Sequence, residues 1–229
     1  MGKILCDQRA ETVLARLREL ASRQSQEMQR YYDAKRRTGT GLTDPRSASD
    51  MNFVRDKLVA LDPEKCELCY LLCRALRARR VVEFGTSFGV STIYLAAAVR
   101  DTLRDFGGRG TVISTEIEPS KAAAAQENLS EAGLADFVEI RVGDATETLQ
   151  NAGGAVDFLL LDSWIPLVRP VIGVMAPQLR AGSMVLCDNV ELFEVEYAEY
   201  TSFIRDPNNG FRSVLLSHQG GLEISVKLG

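Results

Sequence analysis

Three oxygen-bearing side chains stand where apolar runs stop: Asp162 after "VDFLLL", and Asp188 with Asn189 after "SMVLC". Carboxylates and carboxamides are hard donors suited to Mg2+, Mn2+ or Ca2+. Three of them leave room in an octahedron for water and two substrate oxygens. The simpler alternative makes Asp188-Asn189 a turn and Asp162 a helix cap. Trp164, Ile165 and Pro166 follow closely. A proline restricts its predecessor, so Ile165 is expected to be extended.

A second group of candidates lies upstream. In "VVEFGTSFGVSTIYLAAAV", Gly85 and Gly89 flank a turn running into a helix. Glycines there let the backbone turn sharply and let a ligand approach its N–H groups. The spacing is G-x-x-x-G, neither the dinucleotide fingerprint nor a P-loop, so a ligand needing a phosphate cradle is disfavoured. A plain strand–helix turn is the alternative. Glu116 closes "TVISTE", where an acid can accept from both hydroxyls of a ribose; a solvated loop acid would look the same. In "RVGDAT", Gly143 opens a turn and Asp144 or Ala145 faces an adenine, or Asp144 caps the next helix. His218, the sole histidine, sits in "LSHQGG" and is either a base at the site's rim or an exposed turn residue. "ELFEVEYAEY" reads as a helix face whose Phe193, Tyr197 and Tyr200 shape an apolar acceptor pocket, with Glu191, Glu194 and Glu196 as further acids.

These residues need elements to carry them. From residue 80 the runs "RVVEF", "TVISTE", "FVEIRV", "VDFLLLD" and "SMVLCD" read as strands. Helical runs at about 90–105, 118–133, 145–152 and 167–179 fall between them. Strands alternating with helices imply a doubly wound, Rossmann-like α/β fold with a mostly parallel sheet. "FRSVLLSHQGGLEISVKL" reads as a hairpin, so the sheet closes with one antiparallel strand. Such sheets bind ligands at the carboxyl ends of their strands, near the point where strand order reverses. Every candidate above occupies such an end or the hairpin turn. Upstream, helices are expected over 8–37, about 49–60 and about 63–77, with a Gly/Ser/Thr/Pro-rich linker at 38–50. The chain thus divides into an extension, 1–50, and a main domain, 51–229.

The composition narrows the partners. Of 229 residues, 45% are hydrophobic and 25% charged, an ordinary globular balance. A net charge of −4 gives no general pull toward nucleic acid or anionic lipid, favouring a small-molecule partner. No apolar run nears the roughly 18 residues of a membrane span. The start, "MGKILCDQRA", lacks a signal-peptide core, and Cys6 stands where myristoylation wants Ser or Thr. A cytoplasmic location is expected. Cys66, Cys69 and Cys73 in "CELCYLLC" share one helix face. Without a second CxxC, and with one histidine, they read as buried free thiols.

Read together, these motifs resemble class I S-adenosylmethionine (SAM)-dependent methyltransferases. The match is to the metal-dependent small-molecule O-methyltransferases of the catechol and caffeoyl-CoA kind. The likeness runs from about residue 50 to the C-terminus. Its carriers are "VVEFGTSFGVSTIYLA", "STEIEPSKAAAAQENLSEAGL", "VEIRVGDATETL", "VDFLLLDSW" and "GSMVLCDNV". The resemblance implies a seven-stranded sheet. Glu83, Gly85, Phe88, Gly89 and Ser91 would line the methionine end of SAM, and Glu116 would hold the ribose. Gly143, Asp144 and Ala145 would border the adenine. Asp162, Asp188 and Asn189 fall on the family's metal-ligand positions, with Mg2+ as the expected ion and Asp162 beside both cofactor and reacting oxygen. Trp164 would flank the substrate. The N-terminal helices would cover the site or form a homodimer contact. One position departs: where the family pattern D-x-W-K places a lysine as general base, this chain has Ile165. A metal-bound hydroxyl, or His218, would then have to compensate.

Overall fold

A computed structural model describes residues 4–38 and 47–229. The segment 39–46, most of the expected linker, lies outside the described residues. Three helices come first: α1 (Gln8–Thr38), α2 (Ala48–Val54) and α3 (Pro63–Leu76). Then strands and helices alternate as β1 (Arg80–Phe84), α4 (Val90–Phe106), β2 (Thr111–Glu116), α5 (Pro119–Ala132), β3 (Val138–Val142) and α6 (Ala145–Thr148). They continue as β4 (Val156–Leu161), α7 (Ile165–Met175), β5 (Leu179–Asp188), α8 (Ala198–Arg205), β6 (Phe211–Leu216) and β7 (Leu222–Lys227).

The strands form one seven-stranded sheet in the order β3-β2-β1-β4-β5-β7-β6. β1 through β5 are parallel, and β7 inserts antiparallel to both β5 and β6. This is the doubly wound sheet with one antiparallel strand that the alternation implied. β1 and β4 are central, which is why Val81-Val82 and Phe158 through Leu161 are apolar on both faces of the sheet. Side chains alternate across the sheet, so neighbours in sequence enter different cores. Val81, Phe158 and Leu160 join α1, α3 and α4 on one face. Val82, Leu159 and Leu161 join α7 and α8 on the other. Cys66, Cys69 and Cys73 are free thiols wholly buried on α3, as the apolar helix predicted.

α1 is tied to the sheet domain by polar contacts as well as packing. Arg18 donates to Tyr94 Oη at 2.8 Å, and Arg16 to Asn128 Oδ1 at 3.0 Å. None of the described helices is long and apolar enough to cross a membrane.

Three local expectations change. Ile165 is not extended; it is the first residue of α7, with Pro166 in the first turn. Proline suits that turn because its missing N–H has no helical partner to lose. Burial of Val168, Val171, Ile172 and Met175 outweighs the pre-proline preference. "ELFEVEY" forms successive turns rather than a helix, and α8 starts only at Ala198. The N–H groups of Glu191 and Leu192 donate across to the Gly220 carbonyl, at 3.0 and 2.8 Å. α6 is one turn long instead of two.

Candidate active site

The chain leaves β1 toward β2 on one side, while β4 pairs with β1 on the other. Between β1 and β4 the strand order reverses, and the loops there part into a crevice. A cavity of about 350 Å³ lies at that place. Gly85, Ser87, Glu116 and Asp162 come to it from strand ends, and Trp164, Ile165, Phe193 and Tyr197 from the segments after β4 and β5.

The turn after β1 is shaped by close approach. Gly85 has φ +113°, and a Cβ there would lie 2.1 Å from the Asp162 carbonyl oxygen. The Asp162 N–H donates to the Phe84 carbonyl at 3.0 Å, so β1 and β4 stay joined to the cavity floor. Ser87, also at positive φ, donates its N–H to Glu116 Oε2 at 2.8 Å. Its buried hydroxyl has no partner among the described residues. Ser87 lines the cavity, and a buried hydroxyl without a partner is a group that a polar ligand would satisfy. The sequence reading passed over Ser87, although it sits between the two glycines.

Glu116 is held from both sides. Its other oxygen accepts the Glu118 N–H at 3.0 Å, leaving lone pairs on each oxygen for a ligand. Burial pushes this carboxyl up, and the two N–H bonds and the nearby Lys121 ammonium oppose it. Burial in turn pulls Lys121 down. Its Nζ lies 5.9 Å from the Phe88 ring centroid.

Glu83 and Ser91 stand one layer behind the cavity wall. Glu83 is fully buried and accepts from Ser91 Oγ at 2.5 Å, Thr92 Oγ1 at 2.5 Å and Ser114 Oγ at 2.6 Å. Burial still lifts its carboxyl to about 7 despite these bonds. The network locks the end of β1 to the start of α4, where Gly89 is the cap. A smaller recess shares Glu116, Ser163 and Trp164 with the main cavity and is bounded by Gly143 and Ala145. Asp144 instead caps α6, accepting from the Thr146 N–H at 2.7 Å and Oγ1 at 2.6 Å.

Gln29 and Tyr32 of α1, with Val54 and Val59, cover the cavity from the N-terminal side. Tyr32 is raised by burial and by the charge of Asp162. No local pattern marked these residues, because α1 reaches the site only through the tertiary fold. His218 is exposed in the hairpin turn and does not line the cavity.

Asp162, Asp188 and Asn189 do come together at the ends of β4 and β5. Burial, then the charges of Asp188 and Glu83, push the Asp162 carboxyl well above its usual range. Asp188, 4% exposed, is already engaged on both oxygens. Lys65 Nζ donates to Oδ1 at 2.5 Å, and Asn189 Nδ2 donates to Oδ2 at 2.8 Å. Lys65 is 2% exposed, and its ammonium also donates to the Gln219 carbonyl at 2.7 Å. Among the described residues no group of three or more His, Cys, Asp or Glu is arranged to hold a metal. The expected set, two acids and an amide, is smaller than such a group, and what speaks against Mg2+ is that a lysine ammonium faces the carboxylate that would bind it. Lys65 was missed, and the signal for it was slight: a lone lysine beside the buried cysteine face of "PEKCELC".

Residues 82–190 match the family described as a methyltransferase domain. Two catechol O-methyltransferases are similar: that of Mycobacterium tuberculosis at 37% identity over 133 residues, and that of Niastella koreensis at 29% over 136. The matched stretch is 58% of this chain in each case, and 57% and 58% of those proteins. The chain thus spans less than two thirds of the length of these curated relatives. The crystal structure of cofactor-bound Rv0187 from MTB superposes with a TM-score of 0.67 at 27% identity, covering 82% of this chain and 92% of that one. The O-methyltransferase TomG from Streptomyces achromogenes, in complex with SAM, has the same fold, with a TM-score of 0.66 at 23% identity over 86% and 96% of the two chains. The fold is the Rossmann-like fold of class I SAM-dependent methyltransferases. Within it, residues 82–190 match a methyltransferase-domain family, and the similarity is to O-methyltransferases.

Proposed function

We propose that the chain is a SAM-dependent O-methyltransferase acting on a hydroxyl of a small, acidic acceptor such as a phenol or enol. Glu116 carries the reading. It is a carboxylate fixed by two backbone N–H groups at the wall of a switch-point cavity, with lone pairs left for a ribose. Ser87 supports it, since its orphan hydroxyl would pair with the polar methionine end. Gly143 and Ala145 would border the adenine once the adjoining recess, about 10 Å³ as it stands, widens to admit it.

SAM supplies an electrophilic methyl on a sulfonium. The chain's part is to hold an acceptor oxygen in line with that carbon, which removes much of the entropic barrier. Trp164, Ile165, Phe193 and Tyr197 form the apolar side that would seat the acceptor's ring. Bound there, SAM would give its methyl to the acceptor oxygen and keep the C–S electron pair, and the hydroxyl proton would leave the acceptor. Ile165 offers no base and His218 stands outside the cavity, so among the lining side chains Asp162 and Lys121 are left to take a proton, and an acceptor that ionises readily needs them least.

Calorimetric titration with S-adenosylhomocysteine tests the cofactor half, and one site per chain is expected. A SAM-consumption screen over phenols, catechols and enols, run with Mg2+ and with chelator, tests the acceptor half. Absence of S-adenosylhomocysteine binding would remove the proposal.

A further inference from the structure

We infer that the Lys65 ammonium is the built-in cation of this site, occupying the place against Asp188 that a divalent ion would need. The protein then binds no divalent cation there. A metal binds through the oxygens of Asp188 directly, at roughly 2.0–2.6 Å, and an ammonium already seated on one of them would be a like charge in contact with it. Here Lys65 Nζ takes one oxygen and the Asn189 amide the other.

The lysine is not a surface chain that has folded inward. It rises from the buried side of α3 and is 2% exposed. Asp62, three residues earlier, adds an ion-pair contact at 3.4 Å. The hairpin turn is shaped to meet it: Gln219, Gly220 and Gly221 all have positive φ, at 50°, 90° and 86°. This run turns the Gln219 carbonyl to Lys65 and the Gly220 carbonyl to the N–H groups of Glu191 and Leu192. A Cβ on Gly220 would lie 2.6 Å from Asn189 Oδ1, so the turn is also packed against the third expected ligand. Expelling Lys65 would leave that carbonyl without its side-chain donor and Asp188 with the Asn189 amide alone, and retaining it beside a divalent ion would place like charges in contact inside the fold.

There is a consequence for the acceptor, resting on the methyltransferase reading above. A divalent ion selects substrates with two adjacent oxygens because it coordinates both. An ammonium held behind the cavity wall by protein acceptors offers no open coordination positions. Acceptors with a single acidic hydroxyl are then as suitable as catechols.

The test is a Mn2+ titration of the whole protein, followed by electron paramagnetic resonance, with wild type, Lys65→Ala and Lys65→Ala/Asp188→Asn side by side. Wild type is expected to leave the free-ion signal undiminished. Lys65→Ala should capture one Mn2+ per chain, at least about tenfold more tightly, and the double variant should lose it again. If Lys65→Ala does not fold, Lys65→Gln, which keeps the stem, takes its place. Capture by wild type that Asp188→Asn abolishes overturns the inference. A folded Lys65 variant that captures no Mn2+ overturns it equally. S-adenosylhomocysteine binding in the same samples separates the two claims. Its failure removes the methyltransferase reading and leaves the cation result standing, and Mn2+ capture by wild type does the reverse.

Discussion

Replacing Gly85 by alanine probes the join on which the whole site rests. At φ +113° an L-residue is strained whatever the space around it, costing about 1–3 kcal/mol. The added methyl would also meet backbone, 2.1 Å from the Asp162 carbonyl oxygen and 2.9 Å from its carbon. Backbone cannot rotate away as a side chain can, so overpacking adds about 1–3 kcal/mol more. Together the change should destabilise by about 4 kcal/mol, which for a chain of this size lowers Tm by roughly 8–16 °C. Gly89→Ala is the internal control. Its φ is +86°, but its methyl would only touch Ala125 Cβ at 3.4 Å, so the strain acts nearly alone. Scanning calorimetry on both variants, with and without S-adenosylhomocysteine, measures the difference. Gly85→Ala should lose more stability than Gly89→Ala and also lose the ligand's stabilising shift. Equal losses, or a Gly85→Ala protein within about 2 °C of wild type, would show that the approach of β1 to β4 does not constrain the site.

Three further outcomes follow from single side chains. Glu116→Gln should weaken S-adenosylhomocysteine by about 10–100-fold in calorimetry, because hydrogen bonds to a charged group are worth about 1.5–3 kcal/mol; an unchanged affinity would place the ribose elsewhere. Glu83 is lifted from an ordinary 4.5 to about 7, so the folded state holds its proton more tightly than the unfolded state between those values. Its contribution is full below about pH 4.5 and is lost as pH rises to about 7, a change of about 3 kcal/mol. Glu83→Gln carries no such proton, so the stability of wild type relative to this variant in urea should fall by that amount over the window; a flat difference refutes it. Of the five cysteines only Cys6 is exposed, so N-ethylmaleimide should add one label to the native chain and five in denaturant, read by mass spectrometry.

Much of the fold was legible because it is local. Val81 and Val82, or Phe158 through Leu161, announce buried strands by their own apolar runs, and the helices between them set the parallel sheet. Once the topology is known, the strand ends carrying Gly85, Glu116, Asp162 and Trp164 must converge, and they do. Other contributors were not legible, because their partners are distant in sequence. Tyr32 reaches the cavity from a helix outside the sheet, and Lys65 meets Asp188 across 123 positions. Where alternatives stayed open, short-range geometry decided: Asp144 has a donor two residues away and spends its carboxylate as a cap.

Ile165 and Lys65 are best understood as one change. The pattern this chain resembles puts a lysine after the tryptophan, facing the acceptor. Here that place is an isoleucine lining the cavity, and a lysine from α3 stands behind the wall on Asp188. Taking the lysine from beside the tryptophan and placing one on Asp188 alters what the site can ask of a substrate. The front loses a group that could take a proton and gains apolar surface for a ring. On the cation assignment inferred above, the back has Lys65 on Asp188 in place of a metal that could activate a hydroxyl. An acceptor that already gives up its proton to water loses nothing by this exchange. A weakly acidic alcohol loses both that lysine and the Lewis acid, and it should be methylated far more slowly than a phenol.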